Sequence, residues 1–136
     1  MTKEAFEKIK VLFADDDAFS QKTAVMALNN LGVKNIVLAR NGAEALEILA
    51  TATVGQPFEL MIVDIEMPDM DGIELARKVR LGSVAKYKNI PILMLTGHST
   101  EENVEKGRIQ NIQGFIVKPP STETLARHIK RAMKFK

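Results

Sequence analysis

The stretch "FELMIVD", residues 58–64, is the most apolar segment of the chain and ends in an acid. A short run with no polar alternation suits a strand covered on both faces, the signature of a parallel sheet. Moving outward, "IKVLFA" (9–14) and "NIVLA" (35–39) lie upstream, and "IPILML" (90–95) and "GFIVK" (114–118) lie downstream. Pro91 fits only the first residues of its strand. A helical signal follows each of the five. Asp17 caps a helix from about Ala18 to Leu31 with Ala24, Val25, Leu28 and Leu31 inward, and Gly32 ends it. Asn41-Gly42 opens a second, with Ala45, Leu46 and Leu49 on one face. Asp71 caps a third through about Arg80, with Leu75, Ala76 and Val79 inward. Ser99 and Glu102 form a capping box for a fourth. It is weakly anchored by Val104, interrupted by Gly107 and ended by Asn111. Ser121 caps the last, which turns Leu125, Ile129, Ala132 and Met133 inward.

Five apolar strands alternating with five helices predict an α/β fold: a doubly wound, five-stranded parallel sheet covered on both faces. Such sheets are commonly ordered 2-1-3-4-5, with their site at the carboxyl ends of strands 1 and 3. At 136 residues the chain is expected to form one domain, residues 1–136, with a core over about 8–134. It has no cysteine, which excludes disulfides, zinc–thiolate sites and thiol nucleophiles. Nineteen basic residues against 17 acidic ones leave a net charge of +2, too even to argue for nucleic acid. No segment has the roughly 18–20 apolar residues of a membrane span. The N-terminus has no apolar signal core, so the cytoplasm is the expected compartment.

Chemistry gathers at the predicted carboxyl ends. Strand 1 ends in Asp15-Asp16-Asp17, strand 3 in Asp64 followed by Glu66, strand 4 in Thr96-Gly97 and strand 5 in Lys118. Carboxylates crowded at one sheet edge repel unless a cation joins them. Hard oxygen donors, with no His or Cys among them, select Mg²⁺ (or Mn²⁺ in vitro) over zinc or copper. Capping accounts for Asp17, but a cap needs only one of the three. A carboxylate beside Mg²⁺ can act as a nucleophile toward a phosphoryl group. Thr96 and Lys118 are the complementary donors for phosphoryl oxygens.

The motifs "VLFADDDAFS", "MIVDIEMPDMDGIELARKVR", "PILMLTG" and "FIVKPP" together resemble the receiver domains of two-component response regulators, over roughly residues 8–134. The resemblance implies the 2-1-3-4-5 order. It also implies that Asp64 is the phospho-acceptor and that Asp15 and Asp16 bind Mg²⁺, with the Glu66 backbone carbonyl as a further ligand. Thr96 matches the switch hydroxyl, Lys118 the family's lysine and Phe115 its switch aromatic. Lys118-Pro119 matches a bond the family holds in cis. Pro120 and Gln110-Asn111-Ile112 depart from the family pattern on either side of strand 5.

The implied function is a phosphorylation-activated switch. A histidine kinase or phosphotransfer protein donates to Asp64, and the surface of the fourth helix, fifth strand and last helix changes to control a partner protein. The chain would catalyse only its own phosphorylation and dephosphorylation. Carrying no second domain, it is expected to act through another protein, unless it is itself part of a longer one. A small Mg²⁺-dependent aspartyl-phosphate phosphohydrolase, with Glu66 as its acid, is the alternative, but the chain leaves little room for a substrate cap. A flavin binder is disfavoured because Asp15–Asp17 would repel a flavin phosphate. His98 and His128 read as loop and structural residues, Met67 and Met70 as loop packing. The basic tail "RHIKRAMKFK" reads as a solvated helix face, with an acidic partner or phospholipid as its functional alternative.

Overall fold

The computed structural model describes residues 3–51, 55–97, 105–106 and 108–134. The elements run α1 (Lys3–Lys8), β1 (Lys10–Ala14), α2 (Ala18–Leu31), β2 (Asn35–Ala39), α3 (Gly42–Thr51), β3 (Leu60–Asp64), α4 (Gly72–Arg80), β4 (Ile92–Thr96), β5 (Gly114–Val117) and α5 (Thr122–Met133). A short 3₁₀ turn, Ala85–Tyr87, precedes β4. All five strands are parallel, in the order β2-β1-β3-β4-β5. The helical residues 105–106 and 108–109 fall within the predicted fourth helix. Its capping box at Ser99–Glu102, Val104 and Gly107 lie outside the described residues, as does His98.

Period-two alternation along the strands divides the core into two layers. Leu12, Met61, Val63, Ile92 and Met94 pack with α3 and α4 through Ala45, Leu49, Leu75, Ala76 and Val79. Val11, Phe13, Leu60, Ile62, Leu93 and Leu95 pack with α1, α2 and α5 through Phe6, Ala24, Leu28, Leu125 and Ile129. Every residue of β3 and β4 is buried, as strands covered on both faces require.

The caps follow the expected chemistry. Asp17, Asp71 and Ser121 each accept the backbone N–H three residues on, and Gly32 takes the left-handed conformation (φ 109°) that ends α2. Asn41 Oδ1 caps α3 through the Glu44 N–H. Asn111 is left-handed (φ 57°), and Lys118-Pro119 is cis.

Four details differ from expectation, the simplest being that β4 runs Ile92–Thr96 rather than over 90–95, since Pro91 falls just outside it. α1 was not foreseen; it buries Phe6 at the amino edge of the sheet. In α2 the buried stripe is Ala24, Ala27 and Leu28, and Val25 is only partly covered, because small residues let the helix lie close to the sheet. β3 begins at Leu60 rather than Phe58. The Phe58 N–H is instead donated to the Tyr87 hydroxyl (3.2 Å), and the two rings meet edge to face.

Candidate functional site

The site follows from strand register. Ala14 pairs with Val63, Asp64 with Leu95 and Thr96 with Val117. One residue beyond each of these ends, the sheet brings Asp15 beside Asp64, and Lys118 beyond Thr96. Backbone bonds hold the ends in place: Asp15 N–H to Ala39 O (3.0 Å), Ile65 N–H to Leu95 O (2.9 Å) and Lys118 N–H to Thr96 O (2.8 Å). Alternation then sorts the side chains. Asp15, Asp64 and Lys118 continue the rows of Phe13, Ile62 and Ile116, on the α2–α5 face. Thr96 continues the row of Ile92 and Met94 on the opposite face, where Phe115 also packs.

Asp15 is fully buried and Asp64 nearly so, whereas Asp16 is exposed. Asp15 Oδ1 accepts the Asp17 N–H (2.9 Å), and Asp64 Oδ1 accepts the Glu66 N–H (3.1 Å). Lys118 Nζ lies between the two acids, 3.1 Å from Asp15 Oδ2 and 3.1 Å from Asp64 Oδ2. The Glu66 carboxylate turns toward the end of β4 and accepts the Gly97 N–H (3.3 Å). Close behind, the first turn of α4 lies on the backbone of Asp64 and Ile65. A Cβ at Gly72 would sit 2.5 Å from the Asp64 carbonyl oxygen, so only glycine lets α4 start there. Met67 is buried, and Met70 packs on Gly42, which leaves both as loop packing.

Burial raises the Asp64 pKa to about 6, with the Asp15 charge adding to the rise and Lys118 opposing it. Burial works against the Lys118 charge, but the two carboxylates outweigh it and its pKa is raised. Carboxylate oxygens of Asp15, Asp16 and Asp64 all lie within 4.8 Å of one another. Three carboxylates against one ammonium leave two negative charges in a small space. All the donors are hard oxygens. A divalent hard cation fits that deficit in both charge and chemistry. Asp16 and Asp64 open onto a cleft of about 510 Å³, also lined by Phe19, Ser20, Gly97, Lys118, Pro119 and Pro120.

Asp15, Asp16, Asp64, Glu66, Thr96 and Lys118 lie at this edge; Phe115 pairs with Met94 further down β5, on the Thr96 face. Sequence reasoning did not see that Lys118 spans both acids, because only strand register shows it.

The response regulator receiver domain family matches residues 11–130. The chain is 31% identical to the chemotaxis protein CheY homolog of Campylobacter jejuni, over 86% of each protein. It is 34% identical to the sensor histidine kinase CheAY of Helicobacter pylori, over 91% of this chain and 15% of that protein. Among solved structures, the chemotaxis protein CheY4 of Vibrio cholerae superposes with a TM-score of 0.79 at 33% identity, over 91% of this chain and 98% of that one. A parallel sheet in the 2-1-3-4-5 order, acids at the ends of β1 and β3 and these likenesses define one class: the chain belongs to the receiver domains of response regulators. It is a CheY-like receiver, a switch activated by phosphorylation. Receiver domains bind Mg²⁺ at their acidic cluster, which here corresponds to Asp15, Asp16 and Asp64. Among the described residues, no helix is long and apolar enough to cross a membrane.

Proposed function

We propose that Asp64 accepts the phosphoryl group, that Asp15 and Asp16 hold Mg²⁺ together with Asp64 and the Glu66 backbone carbonyl, and that Lys118 and Thr96 receive the phosphoryl oxygens. The observation that carries this reading is the Asp15–Asp16–Asp64 cluster with Lys118 Nζ 3.1 Å from two of its members. The donor is a phosphohistidine on a histidine kinase or phosphotransfer protein, met in the cytoplasm. An Asp64 carboxylate oxygen attacks phosphorus as the P–N bond breaks. The imidazole leaves with the bonding pair and takes a proton, and a mixed anhydride forms on Asp64. With its pKa near 6, Asp64 is mostly ionised at neutral pH and so is nucleophilic. The metal, when bound, offsets charge on the phosphoryl oxygens.

Phosphorylation removes the carboxylate charge with which Asp64 holds Lys118, which frees the ammonium to pair with a phosphoryl oxygen. Thr96 lies at the end of β4 on the face shared with Phe115, so a pull on its hydroxyl is passed to that face. Through this surface the domain controls a partner protein, and its chemistry stays confined to its own aspartate.

A small phosphodonor such as phosphoramidate, with Mg²⁺, tests the assignment. Wild type should take up one acid-stable, base-labile phosphoryl group, and Asp64→Asn should take up none. Full labelling of that variant would reassign the acceptor.

A further inference from the structure

The segment after Asp64 folds into a chain of tight turns. The Met67 N–H is donated to the Ile65 carbonyl (3.2 Å), the Met70 N–H to the Pro68 carbonyl (2.8 Å) and the Gly72 N–H back to the Ile65 carbonyl (2.8 Å). Among these turns Asp69 takes a left-handed conformation (φ 67°), which persists only where the surroundings impose it. Two methionines pin the segment. Met67 is buried in the core layer shared with α3 and α4. Met70 reaches across to α3, where its thioether fills the space above Gly42. A Cβ there would lie 2.5 Å from Met70 Sδ and 3.0 Å from its Cγ. The pinned segment carries Glu66, whose backbone N–H is donated to Asp64 Oδ1 (3.1 Å), so a change at the pin reaches the acidic edge.

Accessibility decides which sulfur an oxidant meets. Among the described residues, Met61 and Met94 are fully buried in β3 and β4, and Met67 is nearly so. Met26 is 59% exposed on α2, and Met133 is partly exposed at the end of α5. Met70 combines the two conditions: it is partly exposed, and its sulfur makes the contact that ties a loop to a helix.

We propose that Met70 is an oxidation-sensitive pin, the site at which a peroxide releases the loop behind Asp64 from α3 and so weakens the acidic edge. A sulfur lone pair attacks one peroxide oxygen, the O–O bond breaks, and the departing hydroxide takes a proton to become water. The thioether becomes a sulfoxide, losing the two electrons that the peroxide gains. The cluster against which Met70 packs is made of hydrophobic side chains. A polar sulfoxide is costly to bury there without a donor, so it turns to solvent and leaves Gly42. Gly42 has no side chain of its own to keep the loop in place. Sulfoxide reductases reverse the chemistry. The consequence for phosphorylation rests on Asp64 being the acceptor; the release of the loop does not.

The test treats the full chain with hydrogen peroxide and follows three things: each methionine by peptide mass spectrometry, the loop by hydrogen exchange of amides between residues 65 and 72, and Asp64 by phosphoramidate labelling with Mg²⁺. Met26 and Met70 should be oxidised while Met61 and Met94 stay intact. The loop amides should then exchange faster. The labelling rate should fall about tenfold, as when a group that orients a metal site is displaced. Met70→Leu keeps an apolar side chain of similar volume and should keep its labelling through the treatment. Met26→Leu should lose labelling as wild type does. Met70→Gln, polar and of similar length, should label slowly without any peroxide. Methionine sulfoxide reductase should restore labelling to the oxidised wild type. An equal loss in Met70→Leu, or unchanged exchange and labelling once Met70 is fully oxidised, would overturn the proposal. Faster loop exchange together with full labelling of Asp64→Asn would support the pin and reassign only the acceptor.

Discussion

Lys118 and Arg80 are both partly buried cations, and each ties together parts of the chain far apart in sequence. Lys118 stands at the carboxyl edge of the sheet between Asp15 and Asp64. Arg80 ends α4 at the amino edge, where its guanidinium donates to the carbonyls of Lys88 (3.0 Å), Ile90 (2.7 Å), Gln110 (3.0 Å) and Asn111 (3.0 Å) and to Gln113 Oε1 (3.4 Å). Burial lowers the Arg80 pKa, yet guanidinium stays charged at any physiological pH. The acceptors differ in kind. Arg80 is held by neutral dipoles that no ion or phosphoryl group will displace. Lys118 is held by carboxylates that carry more negative charge than it can offset. The first arrangement pins the segment leading into β5; the second can exchange partners, as a switch requires.

The largest effect that sharpens this contrast is expected at Arg80. Arg80→Met keeps most of the stem but leaves several carbonyls without a donor. Stability should fall by about 3 kcal/mol. The loss should be the same with and without Mg²⁺ and flat from about pH 5 to 8, because no group that titrates there is involved. A loss that Mg²⁺ repairs would break the comparison. Lys118→Met should behave in the opposite way. Without Mg²⁺ at pH 8 it should cost about 2 kcal/mol, since two buried carboxylates then face each other unpaired. Millimolar Mg²⁺, or a lower pH, should recover most of that loss. Urea melts in the four conditions separate the two residues.

Asp64 supplies the next test. Its folded pKa is raised from 3.8 to about 6, chiefly by burial. A raised carboxylate pKa contributes stability below the unfolded value and loses it as pH climbs through the folded one. Metal-free protein should therefore weaken between about pH 4 and 6. Asp64→Asn removes the buried charge, so it should be more stable than wild type by about 1–2 kcal/mol at pH 8, with the gain vanishing near pH 4. An equal gain at both ends of the range would show that packing, not charge, is responsible.

The same contrast separates what could be read in the sequence from what could not. Caps and strand ends are local, so Asp17, Gly32, Asp71 and Ser121 were legible as punctuation, and so was the gathering of Asp15, Asp64 and Lys118 once the strand order was assumed. Arg80 read only as the last residue of a helix, because its partners lie eight to 33 residues away and are mostly backbone atoms with no side-chain signature. The pairing of Gly114 with His128 was equally hidden. A Cβ at Gly114 would lie 2.7 Å from His128 Nδ1, so the glycine makes room for a ring fourteen residues on. α1 was missed because its six residues, "KEAFEK", hold one large apolar side chain, Phe6, too little for a periodic signal.

The smallest expected effect concerns three consecutive aspartates. Asp15 is buried between an N–H and an ammonium, Asp16 is exposed and Asp17 caps α2. Asp16→Asn removes a cluster carboxylate without disturbing the core and should weaken Mg²⁺ binding about tenfold, or about 1.4 kcal/mol. Asp17→Asn removes the same charge one residue further on. Its carboxylate accepts the Ser20 N–H at 2.7 Å, a bond that an asparagine amide oxygen also makes. Stability should change by only a few tenths of a kcal/mol, and Mg²⁺ affinity should shift by less than about twofold, because an exposed charge outside the cluster is screened by solvent and salt. Equal losses of Mg²⁺ affinity in the two variants would mean that the edge attracts cations through its summed field. Only a marked difference supports a site built from particular oxygens.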